Sequence, residues 1–267
     1  MPDRPWKDEY TLLCEKCGYV IEGLDQSGNC PECGKPIAQS LPQRRVGTPW
    51  QQNPSVGSLV RTWWMTLRHP LRTLDVMRVR EPNSVDSYPW LNSILASWII
   101  AGTVFMRLII NDIEISNHLD YATVYQILLG LVGVVFVLPI LLVMLTRLEQ
   151  QGLRIISKTR STRVNRGVAQ AITSHGSVGW VLAALLGFIL SIAGAFIITT
   201  STPKPYMEPN YSVYYPTPAW AWTLDIGLYA LALLIGFLFF ETFAYLGLRR
   251  CKYANRVRPA NLDEPRP

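Results

Sequence analysis

The chain has 267 residues, of which 49% are hydrophobic and only 16% are charged, and its formal net charge is +6. Soluble proteins carry about a quarter charged residues, so this composition argues against an ordinary soluble enzyme. The length excludes a disulfide-stabilised mini-protein, and the apolar content excludes a disordered chain.

A four-cysteine motif lies near the amino end. Two Cys-x-x-Cys-Gly sequences contribute Cys14, Cys17, Cys30 and Cys33. Four thiolates at this spacing suit tetrahedral Zn²⁺, and the glycine after each pair allows the backbone to turn around the ion. Because cysteine fills all four positions, none is left for water, and we expect a structural zinc. Two disulfides and a rubredoxin-like iron site are the alternatives.

The fragment CEKCGYVIEGLDQSGNCPECG resembles the compact zinc ribbons that are common in bacterial proteins, and the resemblance covers about residues 10–38. It implies a metal-stabilised structural or docking module. We therefore predict a small N-terminal β zinc ribbon over residues 1–38, in which Tyr19, Val20 and Ile21 form a short strand. A segment this small cannot bury a core of its own, so the metal supplies its folding energy.

Two further segments precede the apolar part of the chain. Residues 39–54 contain three prolines and Gly47, which predicts a linker without a packed core. Residues 55–88 are predicted to form amphipathic interfacial helices, divided at Pro70. Their apolar residues follow helical spacing: Leu59, Val60, Trp63, Trp64, Leu67, Leu71 and Leu74. Basic, tryptophan-bearing helices of this kind lie against anionic lipid head groups; packing against the helical bundle is the alternative.

Four apolar blocks dominate the rest of the chain. They cover residues 90–110, 121–145, 178–200 and 222–246. A helix needs about 20 apolar residues to cross the hydrocarbon core of a bilayer, and helix is the default spanning form. We predict an all-α polytopic membrane protein with four transmembrane helices over residues 89–250, followed by a basic tail at 251–267. Pro139 predicts a kink in the second span. Four buried helices of a soluble core would require a polar partner face that the chain lacks.

The basic residues predict an orientation. Of the 25 Lys and Arg residues, 23 fall in segments that lie on one side of a four-span arrangement. By the positive-inside rule, both termini are expected in the cytoplasm, with the bundle in the cell inner membrane. The positive charge is therefore better explained by topology than by nucleic-acid binding, which we do not expect.

The connection between the second and third spans, residues 146–177, carries a second amphipathic segment. Ser161 and Thr162 predict a helix cap. Arg160, Arg163 and Arg166 are expected to contact anionic head groups.

Two stretches, MTLRHPLRTLDVMRV and RGVAQAITSHGSVGWVLAALLG, resemble Yip-type multi-pass membrane proteins. The resemblance covers about residues 58–250. It implies partners in membrane trafficking, and it supplies no catalytic residues.

The predicted spans contain three charged residues, Arg107, Asp225 and Glu241, of which Glu241 and Arg107 form a possible intramembrane polar site. The alternatives are that Glu241 pairs with Arg147 or with the arginines that follow it, and that Arg107 extends to the interface. No catalytic motif is present, so we do not expect an enzyme. Two functions follow as hypotheses: a membrane-anchored scaffold whose ribbon binds an unknown soluble protein, or a small carrier or permease component regulated by the ribbon.

Overall fold

The computed structural model describes residues 10–79, 87–116, 121–160, 162–201, 207–208, 211–212 and 219–256. The first nine residues of the predicted ribbon, most of the loop after the third span and the last eleven residues of the predicted tail lie outside this range. The chain divides into two compact units. Unit 1 comprises Met1–Asp86, Leu145–Val178 and Glu241–Pro267, and unit 2 comprises Ser87–Met144 and Gly179–Phe240. This division does not test the domain boundaries predicted from the sequence, and they remain predictions.

The described residues are mostly helical. The helices are α1 (Pro49–Gln52), α2 (Val56–Arg68), α3 (Pro70–Val76), α4 (Ser87–Ser116), α5 (Tyr121–Val132), α6 (Leu138–Thr159), α7 (Arg166–Gly176), α8 (Val178–Ser201) and α9 (Ala219–Arg250). Two short antiparallel strands, β1 (Met207–Glu208) and β2 (Tyr211–Ser212), pair before α9.

Four helical stretches are long and apolar enough to cross a membrane, as predicted. They are Ser87–Arg107, Leu128–Thr159, Arg166–Ser201 and Thr223–Arg250. The second stretch includes a π-helical turn, Gly133–Val137, just before Pro139. Proline has no N–H to donate to the preceding turn of an α-helix, and a wider turn is one way to accommodate it. The structure thus places an irregular turn where the sequence predicts a kink.

The core of unit 2 is apolar and closely packed. It contains Ala96, Leu142, Trp180, Ala184 and Phe240, and the rings of Trp180 and Phe240 stack with centroids 5.2 Å apart. Helices α8 and α9 approach each other closely at one glycine on each helix, where no side chain separates the two backbones. A Cβ on either Gly179 or Gly236 would lie within 2.5 Å of the other glycine's carbonyl oxygen. Small residues allow this close approach of membrane helices.

Unit 2 also leaves large apolar side chains uncovered. Phe136, Phe196 and Ile226 are each about two-thirds exposed. An apolar surface of this kind is unfavourable in water and suits contact with lipid.

Helix α7 belongs to unit 1 and is buried from Gly167 to Gly176, while its first residue, Arg166, is exposed. Its N-cap is Asn165, whose side chain accepts a hydrogen bond from the Val168 amide at 3.0 Å. The cap predicted at Thr162 is therefore wrong, and Ser161, the other residue named in that prediction, lies outside the described residues. Thr162 instead belongs to a turn in which its carbonyl accepts a hydrogen bond from the Ser157 hydroxyl at 2.8 Å.

The segment predicted as a linker, residues 39–54, is folded in unit 1. A 3-10 helix, Ile37–Ser40, ends within it, and a second 3-10 helix, Pro42–Arg44, and then α1 follow. Pro42 and Pro49 each begin a short helix, where a missing N–H breaks no hydrogen bond. Thr48 is fully buried, and its hydroxyl lies 3.2 Å from Nε2 of His175.

Candidate metal centre

The four cysteines predicted as metal ligands converge in unit 1. Their sulfur atoms all lie within 4.8 Å of one another, with Cys14 and Cys33 3.5 Å apart and Cys17 and Cys30 3.6 Å apart. A tetrahedral ion with metal–sulfur bonds of about 2.3 Å requires sulfurs about 3.8 Å apart. The donor set and its spacing therefore fit one tetrahedrally bound metal ion.

Each half of the site is the same backbone turn repeated sixteen residues later. The amide of Cys14 donates to the Tyr19 carbonyl at 2.8 Å, and the amide of Cys30 donates to the Lys35 carbonyl at 2.8 Å. The glycine after each pair adopts a positive φ, as the sequence predicts, and its amide bonds back to the first cysteine of the pair. The chain thus builds two equivalent arms that each present two sulfurs to the same point.

Among residues 10–38, the backbone pairing is limited to two isolated antiparallel bridges, Leu13 with Val20 and Asn29 with Pro36. The predicted strand over Tyr19, Val20 and Ile21 is reduced to one bridge residue. The β character of the ribbon is therefore not shown, because tight turns around the cysteines occupy most of the segment. We keep the name "ribbon" for residues 10–38.

The cysteines differ in exposure and in acidity. Cys14 and Cys30 are buried, whereas Cys17 and Cys33 lie closer to solvent. Burial disfavours the Cys14 thiolate, but hydrogen bonds from the amides of Cys17 and Lys16 outweigh it and lower the pKa of Cys14 to about 7. Desolvation and the neighbouring sulfurs raise the pKa of Cys17 to about 12. Four clustered thiolates repel one another, and a bound cation removes that repulsion.

The inner side of the ribbon is fastened by one buried asparagine. Asn255 is 1% exposed, and its Oδ1 accepts hydrogen bonds from the Leu13 amide at 3.0 Å and from Nη2 of Arg163 at 2.6 Å. Its Nδ2 donates to the carbonyls of Leu13 and Ser40, both at 2.6 Å. The side chain thus joins the ribbon, the segment after it and the region before α7.

Arg163 is part of the same network and not a lipid-facing residue. It is 5% exposed, and its Nη1 donates to the carbonyl of Thr11. The expectation that Arg163 contacts head groups is wrong, because its guanidinium is buried and donates hydrogen bonds to acceptors inside unit 1.

A buried ion pair makes a second attachment. Arg45 binds both carboxylate oxygens of Glu15, at 2.9 and 3.2 Å, and its Nη1 donates to the Leu74 carbonyl at 2.7 Å. Glu15 lies between the first two cysteines. Arg45 lies just before α1 and Leu74 lies in α3, so this ion pair fastens the first arm of the metal centre to both segments.

A third attachment depends on the absence of a side chain. The ring of Tyr253 covers Gly18, and a Cβ at Gly18 would lie 2.7 Å from the ring. Gly34, at the equivalent place in the second arm, also has a positive φ but has open space beside it. The first arm of the ribbon is therefore the one that packs against the rest of unit 1.

Sequence reasoning missed Asn255, Arg163 and Arg45 as residues that fix the metal centre. Two of them are more than 100 positions from the cysteines, and the amphipathic pattern around Arg163 predicts a membrane surface instead. No local signal in the sequence points to them.

The two residues of the predicted intramembrane polar site lie in different surroundings. In unit 2, Nη2 of Arg107 contacts both carboxylate oxygens of Asp225. In unit 1, Glu241 has no ion pair among the residues that the structure describes, while Arg250, nine positions further along α9, pairs with Asp75 at 2.7 Å. The pairing predicted for Glu241 is not seen in this part of the chain.

Comparisons of the chain with models of protein families, with curated proteins and with solved structures found no match. The Yip-type resemblance is therefore unsupported.

Proposed function

We propose that the chain is a multi-pass membrane protein that holds a structural zinc ribbon in a fixed orientation as a docking site for a soluble protein. The observation that carries this proposal is the asymmetry of the ribbon. Its inner side is fastened by Asn255 and Arg45, while the residues around the opposite turns remain open to solvent. If the ribbon served only to stabilise the fold, it would not need a surface that is held rigidly and left exposed to solvent.

The exposed side of the ribbon combines apolar and acidic groups. We define the outer surface as Tyr19, Glu22, Leu24, Asp25 and Glu32. Tyr19 and Leu24 are each nearly 40% exposed, and the three carboxylates are exposed as well. Such a surface complements a partner that offers a small apolar patch with basic residues at its rim.

Zinc is the proposed metal because four cysteine sulfurs in tetrahedral spacing favour zinc over the hard cations that oxygen ligands select. Its proposed role is structural and not catalytic. With the metal bound, the four sulfurs fix both turns that carry the outer surface.

The proposed location is the inner membrane, with both termini and the ribbon in the cytoplasm. The distribution of basic residues supports it, because 23 of 25 fall in the segments assigned to that side. Reporter fusions at residues 115 and 210 should lie in the compartment opposite to the amino end. Finding either in the same compartment would contradict this topology.

The docking role is tested by capture of binding proteins from solubilised membranes with the full chain. The variant is Leu24→Ser. Its matched control is Val46→Ser, because Val46 is a similarly exposed aliphatic residue that lies outside the outer surface. We expect a specific partner to be lost with Leu24→Ser and kept with Val46→Ser, with both variants retaining zinc. Equal capture by both variants contradicts the outer surface as the docking site.

Transport, the alternative function, has one favouring observation, a carboxylate in an apolar stretch at Glu241. Replacing Glu241 by Gln in the full chain should then abolish flux of the substrate in reconstituted vesicles without loss of membrane insertion. Unchanged flux would remove Glu241 from any such role. Arg107 is a weaker candidate for carrying substrate, since Asp225 already neutralises it.

A further inference from the structure

Helices α2 and α3 carry their large apolar residues on the outside. The exposed set, which we call the apolar stripe, is Val56, Val60, Trp64, Leu67 and Leu71. Val56 is 80% exposed and Trp64 is 61% exposed. In water, exposing a tryptophan and four aliphatic side chains along one line is unfavourable.

The side of α2 that faces the protein is more polar than the side that faces outward. Thr62 and Thr66 are fully buried, and their hydroxyls donate to the carbonyls of Ser58 and Thr62, each at 2.8 Å. Only Leu59 adds a large buried apolar side chain to this face. The helix is therefore amphipathic with its apolar side turned away from unit 1.

Arginines border the stripe. At about 100° per residue, the stripe on α2 occupies about 80° of the helix circumference, with Arg68 and Arg61 next to its edge. Both are exposed, as is Arg72 on α3. The Arg68 guanidinium lies 5.4 Å from the ring centroid of Trp64. Asp75, the acidic residue of these two helices, is already paired with Arg250, so the charge along the stripe is positive.

We propose that the apolar stripe, with Arg61, Arg68 and Arg72, is a binding surface for anionic phospholipid. Apolar side chains enter the boundary between head groups and acyl chains, and the arginines extend from the edge of the stripe to the phosphates. Lipid is also close along the chain. Helix α3 ends at Val76 and α4 begins at Ser87, and the ten residues between them span at most about 35 Å. The bilayer therefore acts at a high effective concentration. This inference does not depend on the proposed docking of a soluble protein.

The test follows the fluorescence of Trp64 in the full chain reconstituted in nanodiscs. Subtracting the emission of Trp64→Phe from that of the wild type isolates this one tryptophan. Nanodiscs are made of phosphatidylcholine alone or with phosphatidylglycerol as the minority lipid. In each, quenching by lipids brominated near the head-group end of the acyl chains is compared with quenching by acrylamide in the water.

A charge-matched pair of variants tests the arginines. The first carries Arg61→Gln, Arg68→Gln and Arg72→Gln. The control carries Lys16→Gln, Lys35→Gln and Arg44→Gln, which remove the same charge from positions outside the stripe. We expect bromine quenching of Trp64 that increases with the content of phosphatidylglycerol. The equilibrium constant for binding of the apolar stripe to the bilayer should fall about fivefold for each arginine removed. The control should behave as the wild type does.

Three results would overturn the proposal. If acrylamide but not bromine quenches Trp64, the stripe faces water. If neither does, a second copy or another protein covers it. If bromine quenching is the same with and without phosphatidylglycerol and in both triple variants, the surface binds lipid without selecting anionic head groups.

Discussion

Replacing Asn255 by alanine is the sharpest test of how the metal centre is held. The substitution removes four hydrogen bonds from a side chain that is 1% exposed, and it leaves the amide and carbonyl of Leu13 and the carbonyl of Ser40 without their partners. A buried polar group left unsatisfied costs about 1–3 kcal/mol. Arg163 keeps its bond to Thr11, and entering water offsets part of the loss. We therefore expect local opening of the ribbon to become easier by about 3–5 kcal/mol.

The assay is hydrogen exchange by mass spectrometry on the full chain in nanodiscs, followed over the peptide that contains Leu13. A change of about 3–5 kcal/mol corresponds to about a hundredfold to a few-thousandfold faster exchange through opening. Asn255→Asp separates the two halves of the side chain. It keeps the acceptor for Arg163 but places an oxygen against the carbonyls of Leu13 and Ser40, so it should also open the ribbon. Asn53→Ala removes a similar amide at the surface and should change exchange little.

The metal should stay bound when the ribbon opens in this way. Asn255 contacts none of the four sulfurs, and each arm is closed by its own backbone hydrogen bonds. We expect about one Zn²⁺ per chain in Asn255→Ala, and loss of the metal in Cys14→Ser. Unchanged protection of the Leu13 peptide in Asn255→Ala would refute the reasoning, because it would show that the ribbon is held by other contacts.

Three more predictions follow from the described contacts. Gly18→Ala and Gly34→Ala each place a side chain at a positive φ, which costs about 1–2 kcal/mol, but only the new Cβ at Gly18 would also collide with an aromatic ring. Thermal unfolding should therefore show a larger loss of stability for Gly18→Ala, and equal losses of stability would contradict the packing of Tyr253 on Gly18. Burial raises the pKa of Cys251 to about 11. Because the unfolded thiol ionises near pH 9, the wild type should lose about 2–3 kcal/mol of stability between pH 9 and pH 11 that Cys251→Ser does not lose; parallel pH curves would exclude this. Asp225→Asn leaves Arg107 unpaired and should destabilise unit 2 by about 2–4 kcal/mol, as measured by thermal unfolding in detergent. Exchanging the two residues, with Arg107→Asp and Asp225→Arg, should restore most of the lost stability. No recovery would show that the packing of the two side chains matters more than their opposite charges.

The sequence by itself determined the features that depend on local pattern. Four apolar blocks are long enough to span a bilayer whatever surrounds them, so four spanning helices could be predicted. Two Cys-x-x-Cys-Gly turns fix their own geometry within five residues each, so the four-sulfur site could be predicted as well. The break between α2 and α3 at Pro70 is local in the same sense.

Only the tertiary structure decided how these parts are joined and which way they face. Asn255 lies 242 positions from Leu13, and nothing near either residue specifies the other. The prolines of residues 39–54 are compatible with a tether or with short helices, and buried contacts such as those of Thr48 select the folded form. The apolar periodicity of α2 is the same whether its apolar side faces protein or lipid. Local preferences act over a few residues, whereas burial and hydrogen-bond partners are supplied by distant segments, and these chose the outcome.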